Sequence, residues 1–230
     1  MAEQAIKRVP GRGRFITFEG GEGAGKSTHI RTLAERLNAA KLRTVVTREP
    51  GGSPGAEIIR HLVLSGMGKL LGPEAETLLF AAARDDHVRS VIEPALSQGI
   101  WVLSDRFSDS TRAYQGSLGK VAPAVLNAME RVTIGDLKPD LTIILDVPVE
   151  IGLKRAAARR GTGAADRFEA EDVKFHQELR DAYRQIAAGE PQRCVLIDAT
   201  AEPGIVAANI WAALRDRFFA ASTGNVASPA

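Results

Sequence analysis

The sequence predicts an α/β fold built on a parallel, doubly wound sheet. Two observations carry that reading: five short apolar runs are spaced along the chain with helical segments between them, and the first run leads straight into a glycine-rich turn that opens a helix. Strands separated by helices pair in parallel through crossovers, and ligands of such sheets bind beyond the carboxyl ends of the strands. No internal repeat and no break in composition marks a second domain. One domain is expected over residues 14–219, after a basic extension at 1–13 and before a small, polar tail at 220–230 expected to be disordered.

The first strand is Phe15-Ile16-Thr17-Phe18, ending near Glu19. The helix after the turn places Ile30, Leu33, Ala34 and Leu37 on one face. Leu42 to Thr47 reads as a second strand, and the breaker-rich Arg48-Glu49-Pro50-Gly51-Gly52 precedes a helix from about Gly55 to Leu64. Pro73 suits a first helical turn, and a helix is expected from there to about Leu96. Ile100 to Ser104 is a buried strand. Ser108 to Gly119 reads as a polar connecting segment and Pro123 to Ile134 as a helix. Leu141 to Leu145 is the fourth strand, with a helix over Val149 to Arg159. The Gly- and Ala-rich tract Arg159 to Asp166 between two helices reads as a mobile lid. Glu171 to Ile186 is helical, Cys194 to Asp198 is the fifth strand, and Pro203 to Phe219 is the last helix. These patterns leave the strand order open.

Gly20-Gly21-Glu22-Gly23-Ala24-Gly25-Lys26-Ser27-Thr28 satisfies the phosphate-binding pattern G-x-x-x-x-G-K-[ST], with a strand before it and an amphipathic helix after it. Glycines let successive backbone N–H groups turn inward, and the helix start aims its positive end at the same point. A polyphosphate is the natural occupant, with Lys26 reaching its β and γ phosphates and Ser27 ligating magnesium. Composition narrows the class further. The chain has 230 residues, 44% hydrophobic, and 30 basic against 28 acidic residues leave a formal charge of only +2. That balance supplies no general drive toward nucleic acid or membrane, and no run reaches membrane-spanning length. The one cysteine, Cys194, excludes an internal disulfide and reads as a buried strand residue; a cytoplasmic location is expected.

Asp105-Arg106-Phe107 ends the third strand on the loop's edge of the sheet, and Arg48 ends the second. Arg84, Arg112, Arg159, Arg160 and Arg167 add more guanidinium than one triphosphate needs, so two phosphate-bearing ligands are expected, although Arg112 is left to a solvated helix face or a surface ion pair. Phe80 and Arg84 share a helical face and offer an aromatic plane beside a forked donor.

Phe18-Glu19-Gly20, Thr47-Arg48-Glu49-Pro50-Gly51-Gly52, Phe80-Ala81-Ala82-Ala83-Arg84, Asp105-Arg106-Phe107 and Ser110-Thr111-Arg112-Ala113-Tyr114-Gln115-Gly116 follow one another in an order and spacing that resembles bacterial thymidylate kinase. Pro139-Asp140-Leu141-Thr142 and Asp166-Arg167-Phe168-Glu169 extend the resemblance over roughly residues 14 to 218. It implies a P-loop kinase domain, three-layered, with a five-stranded parallel sheet in order 2-3-1-4-5 flanked by helices and a lid at about 159–169. It also implies a homodimer, and a reaction in which ATP, with Mg2+, phosphorylates dTMP. By the same resemblance the thymine ring lies on Phe80, with Arg84, Thr111 and Gln115 on its polar edge and Tyr114 against the sugar. Arg48 and Arg106 line the acceptor site, Arg106 holding the dTMP phosphate; Asp105 orients magnesium water or Arg106, and Glu22 approaches the acceptor sugar. With Gly23 and Ala24 in the loop, the catalytic arginine is expected from the lid, as Arg159 or Arg160. A kinase of another nucleotide or of a deoxynucleoside, and a nucleotide-dependent switch, are the alternative readings.

Overall fold

A computed structural model of the chain describes residues 11–163 and 167–219. Most of the basic extension, Asp166 and the tail lie outside the described residues.

The elements run β1 (Phe15–Glu19), α1 (Lys26–Ala39), β2 (Thr44–Arg48), α2 (Pro54–Leu64), α3 (Pro73–His87), α4 (Glu93–Ser97), β3 (Trp101–Asp105), α5 (Ser108–Thr111), α6 (Pro123–Thr133), β4 (Leu141–Asp146), α7 (Val149–Arg160), α8 (Val173–Gly189), β5 (Cys194–Asp198) and α9 (Pro203–Phe218). All five strands pair in parallel in the order β2-β3-β1-β4-β5. The central strand is buried along its whole length, which is why it is a continuous apolar run rather than an alternating one. Helices α1 and α9 cover one face around Ile16, Leu103 and Ile143, and Phe15, Val102 and Phe107 form the core of the other with Val88 and Ile92. Among the described residues no helix is long and apolar enough to cross a membrane.

Two stretches differ from expectation. The helix expected from Pro73 to Leu96 is interrupted by a wide turn of π type at Val88–Ile92. Pro94 has no N–H to donate and its ring crowds the carbonyl four residues back, so the helix widens before resuming as α4. The expected polar connection Ser108–Gly119 is helical: α5 passes into a second π-type turn, Arg112–Leu118. Ala113 and Leu118 are five apart, the spacing of a π-turn rather than of an α-helix, and both pack against α8 through Leu179 and Tyr183. That turn delivers Tyr114 and Gln115, both buried, to the edge where β1 and β3 end.

Register fixes that edge. Arg48 sits opposite Asp105 across β2 and β3, and Phe18 sits opposite Asp105 across β1 and β3, so the three strands end level with the glycine-rich loop.

Candidate active site

The loop folds as its glycines require. Gly23 has φ +67, and a side chain there would lie 1.9 Å from the backbone oxygen of Gly152 on α7; Gly152 in turn has no room for one against Glu22. Gly25 caps α1 at φ +95, and no acidic residue occupies that helix's first turn, so nothing competes there with an anion. Lys26 is buried, its Nζ donating to the backbone oxygens of Gly20 and Gly21 at 2.9 Å each. Burial and the nearby Arg106 lower its pKa against the opposing pull of Glu22, Asp105 and Glu19. Ser27 Oγ donates to Asp105 Oδ2 at 2.7 Å.

A cavity of about 400 Å³ opens beside the loop. Glu22 to Thr28 form one wall; Phe80, Arg84, Thr111, Tyr114 and Gln115 form another, with Arg48, Asp105, Arg106 and Arg159 between them. Most residues singled out from the sequence therefore meet at one site; Gly20, Gly21, Arg112, Arg160 and Arg167 do not line it. Gly20 and Gly21, at the start of the loop, line a separate small cavity with Ile144 and Tyr183, and Arg160 pairs with Glu169 Oε2 at 2.8 Å.

Arg106 is the most constrained of them. Its φ is +73, a backbone region that side chains rarely adopt, and its N–H donates to the Phe18 carbonyl at 2.9 Å. Nη2 donates to Glu22 Oε1 at 2.6 Å and Nη1 to Tyr183 Oη at 3.0 Å. Burial raises Glu22, but Arg106, Lys26, Arg159 and His176 outweigh it and hold the carboxyl below its ordinary value. Tyr114 Oη donates to Glu22 Oε1 at 3.4 Å, and the Arg106 guanidinium stands 5.2 Å from the Tyr114 ring centroid.

The wall that carries Phe80 and Arg84 is held from behind. Arg84 donates through Nε to Glu49 Oε2 at 2.8 Å and through Nη2 to Thr111 Oγ1 at 3.0 Å and the Phe107 carbonyl at 3.1 Å. Gln115 Nε2 donates to Glu76 Oε1 at 3.3 Å, and Glu76 also pairs with Arg167. Phe80 lies 6.4 Å from the ring of Phe168.

The arginine surplus read from the sequence is offset in the structure. Arg48 pairs with Glu57, Arg84 with Glu49, Arg106 with Glu22, Arg112 with Asp109 and Glu190, Arg159 and Arg160 with Glu169, and Arg167 with Glu76. Arg112 is in an ion pair as expected, and Arg167 lies off the cavity lining. Glu19, Glu49, Glu76, Glu169 and Tyr183 take part in this assembly without having been given roles from the sequence. Glu19 and Glu49 stand there inside the motifs that carry the resemblance but without a role, and Tyr183 only within a helical stretch.

A glycine-rich loop after the central strand of a 2-3-1-4-5 sheet, opening on a cavity that runs from its lysine to an aromatic and arginine wall, defines a P-loop nucleotide kinase. The comparisons narrow the class. The family model for thymidylate kinase matches residues 18–210. The thymidylate kinase of Bradyrhizobium diazoefficiens is 76% identical over 217 residues, 94% of this chain and 95% of its own. That of Nitrobacter winogradskyi is 75% identical over 230 residues, the whole of both chains. The crystal structure of thymidylate kinase from Ehrlichia chaffeensis matches with a TM-score of 0.71 at 33% identity, covering 89% of this chain and 100% of that one. The chain belongs to the thymidylate kinase family.

Proposed function

We propose that the cavity between the glycine-rich loop and the Phe80 wall binds both substrates of the family's reaction, donor and acceptor end to end. The reaction is that of the family: the γ-phosphoryl group of ATP passes to dTMP, giving ADP and dTDP. The observation that carries the division of the site is its continuity, since one cavity of about 400 Å³ touches both Lys26 and Phe80.

On the donor side the loop backbone from Glu22 to Thr28 cradles the phosphates, and Lys26, held by the carbonyls of Gly20 and Gly21, neutralises the transferred one. Ser27 and Asp105 are the residues that would hold Mg2+. They form a sparse, hard oxygen pair already 2.7 Å apart, which suits an ion that keeps most of its waters and takes further oxygens from the nucleotide. Bound there, magnesium would neutralise charge on the donor phosphates. On the acceptor side Phe80 carries the thymine ring, with Arg84, Thr111 and Gln115 along its edge. Tyr114 fills the space a ribose 2′-hydroxyl would need, and Glu22 approaches the sugar. Arg106 holds the acceptor phosphate, and Arg48 lines its approach. No strong base is needed, because the attacking phosphate oxygen is ionised near neutral pH. The segment at about 159–169 acts as the lid, and Arg159, which lines the cavity, is the arginine that meets the transferred group. Closure would exclude water and so limit hydrolysis of ATP.

A homodimer is supported by Ile58, Leu78 and Val132, large apolar side chains that stand exposed on α2, α3 and α6, helices packed side by side. A cytoplasmic location fits a chain whose substrates are cellular nucleotides.

The test is a coupled assay of ADP release with ATP and a panel of dTMP, dCMP and thymidine. A clear preference for dTMP is expected; equal use of dCMP or thymidine would overturn the acceptor assignment.

A further inference from the structure

Glu19, which ends the central strand, has no part in the steps above, yet it is fully buried. Oε1 accepts the backbone N–H of Phe107 at 2.8 Å, the amide directly after Arg106. Oε2 accepts the hydroxyls of Ser110 at 2.6 Å and Tyr183 at 3.2 Å. Those same two hydroxyls receive Arg106 Nη1, at 3.4 and 3.0 Å. The carboxylate thus holds Arg106 at both ends. It fixes the backbone beside a residue whose φ of +73 needs support, and it orients the hydroxyl lone pairs toward the guanidinium. Any buried carboxylate needs donors on both oxygens; what ties this one to the site is that its two hydroxyl donors are the ones that also receive Arg106 Nη1.

We propose that Glu19 is a positioning residue for phosphoryl transfer, its carboxylate pinning the amide after Arg106 and aiming the guanidinium through Ser110 and Tyr183, an inference that rests on Arg106 holding the acceptor phosphate.

The groups around Glu19 are Asp109 from α5, Arg106 from the turn after β3, Lys26 from α1, Tyr114 from the π-turn and Tyr183 from α8. Burial, with Asp109 adding like charge, raises Glu19 to about 7 against the pull of Ser110, Arg106 and the Phe107 amide. As pH falls through that value the carboxylate gains a proton, becomes a donor itself and can no longer accept both hydroxyls. Acceptor binding should therefore weaken on the acid side. The phosphate of dTMP also gains a proton, near pH 6, so the wild-type profile is compared with that of Glu19→Gln, which removes one contribution and leaves the other.

The experiment measures KM for dTMP and for ATP across neutral pH in wild type, Glu19→Gln, Tyr183→Phe and Arg106→Ala, with thermal melting of each. Glu19→Gln is expected to raise KM for dTMP about tenfold, about 1.4 kcal/mol, with KM for ATP changed less than about twofold and the acid limb near pH 7 lost. Tyr183→Phe should move the same quantity in the same direction, and it carries the test if Glu19→Gln does not fold. The proposal is overturned if folded variants leave KM for dTMP unchanged, weaken both substrates alike, or keep the limb near pH 7. If Arg106→Ala weakens dTMP while the Glu19 and Tyr183 variants do not, the positioning role alone fails. If Arg106→Ala leaves dTMP binding intact, the acceptor assignment fails and the inference falls with it.

Discussion

Glu49→Ala separates what holds the Phe80 and Arg84 wall together from the binding of dTMP proposed for it. Glu49 and Arg84 are 6% and 7% exposed, and the carboxylate takes Arg84 Nε at 2.8 Å on one oxygen and His87 Nδ1 at 3.1 Å on the other. Truncation leaves a buried guanidinium without its counter-charge, a change that costs about 3–5 kcal/mol. Arg84 keeps its bonds to Thr111 and the Phe107 carbonyl, which places the expected cost toward the lower end. At roughly 2–4 °C per kcal/mol for a chain of this size, the melting temperature should fall by at least about 6 °C. Because Arg84 is aimed by Glu49, KM for dTMP should rise as well. Replacing the pair together, Glu49→Leu with Arg84→Met, removes the unpaired charge and should recover part of the lost stability without recovering dTMP binding. Circular dichroism melts and the coupled ADP assay read the two effects separately. A Glu49→Ala melt within about 2 °C of wild type, or a double variant that regains normal KM for dTMP, would refute the reasoning.

Other substitutions test the two halves of the cavity. Lys26→Ala and Arg106→Ala should each lower turnover by on the order of a hundredfold, the scale of losing one positioned charge donor; near-normal turnover in either removes it from the site. Phe80→Ala should raise KM for dTMP while leaving KM for ATP in place, and an unchanged dTMP requirement would return Phe80 to a packing role. Arg159→Ala should depress kcat by at least about tenfold more than Arg160→Ala, since both pair with Glu169 but only Arg159 of the two lines the cavity and helps hold Glu22 below its ordinary value. The reverse order in single-turnover measurements would exchange their roles.

The strands and most helices were legible because burial on two faces writes continuous apolar runs and burial on one writes a helical period. Cys194–Asp198 fell where it was expected, and α1 buries Ile30, Leu33, Ala34 and Leu37 as its spacing required. The π-turns were not legible in the same way. At Val88–Ile92 the cause is a clash made by a proline further along, and at Arg112–Leu118 it is packing on α8, a helix distant in sequence. The site was half legible for a related reason. Glycines, Lys26 and the arginines announce phosphate by residue type alone. The carboxylates that aim them gain meaning only from the fold, which sets Glu49, Glu76 and Glu169 against their arginines and Glu19 against the hydroxyls that receive Arg106. Counting cations without those partners overstated the free positive charge.

Gly23 shows how one local fact can constrain a distant one. Its lack of a side chain reads in sequence as a missing arginine; in space it is a steric requirement, since a Cβ there would lie 1.9 Å from the Gly152 oxygen. The loop and α7 touch backbone to backbone, and any residue larger than glycine at position 23 would push the helix away. Arg159 lies two turns beyond Gly152 on the same face of α7, roughly 10 Å along its axis, and reaches the cavity from there. The contact that leaves no room for an arginine at position 23 is therefore the one that seats α7, whose end brings Arg159 to the cavity. A Gly23→Ala substitution should accordingly act on the lid rather than on nucleotide affinity alone, because what it displaces is the helix that carries Arg159.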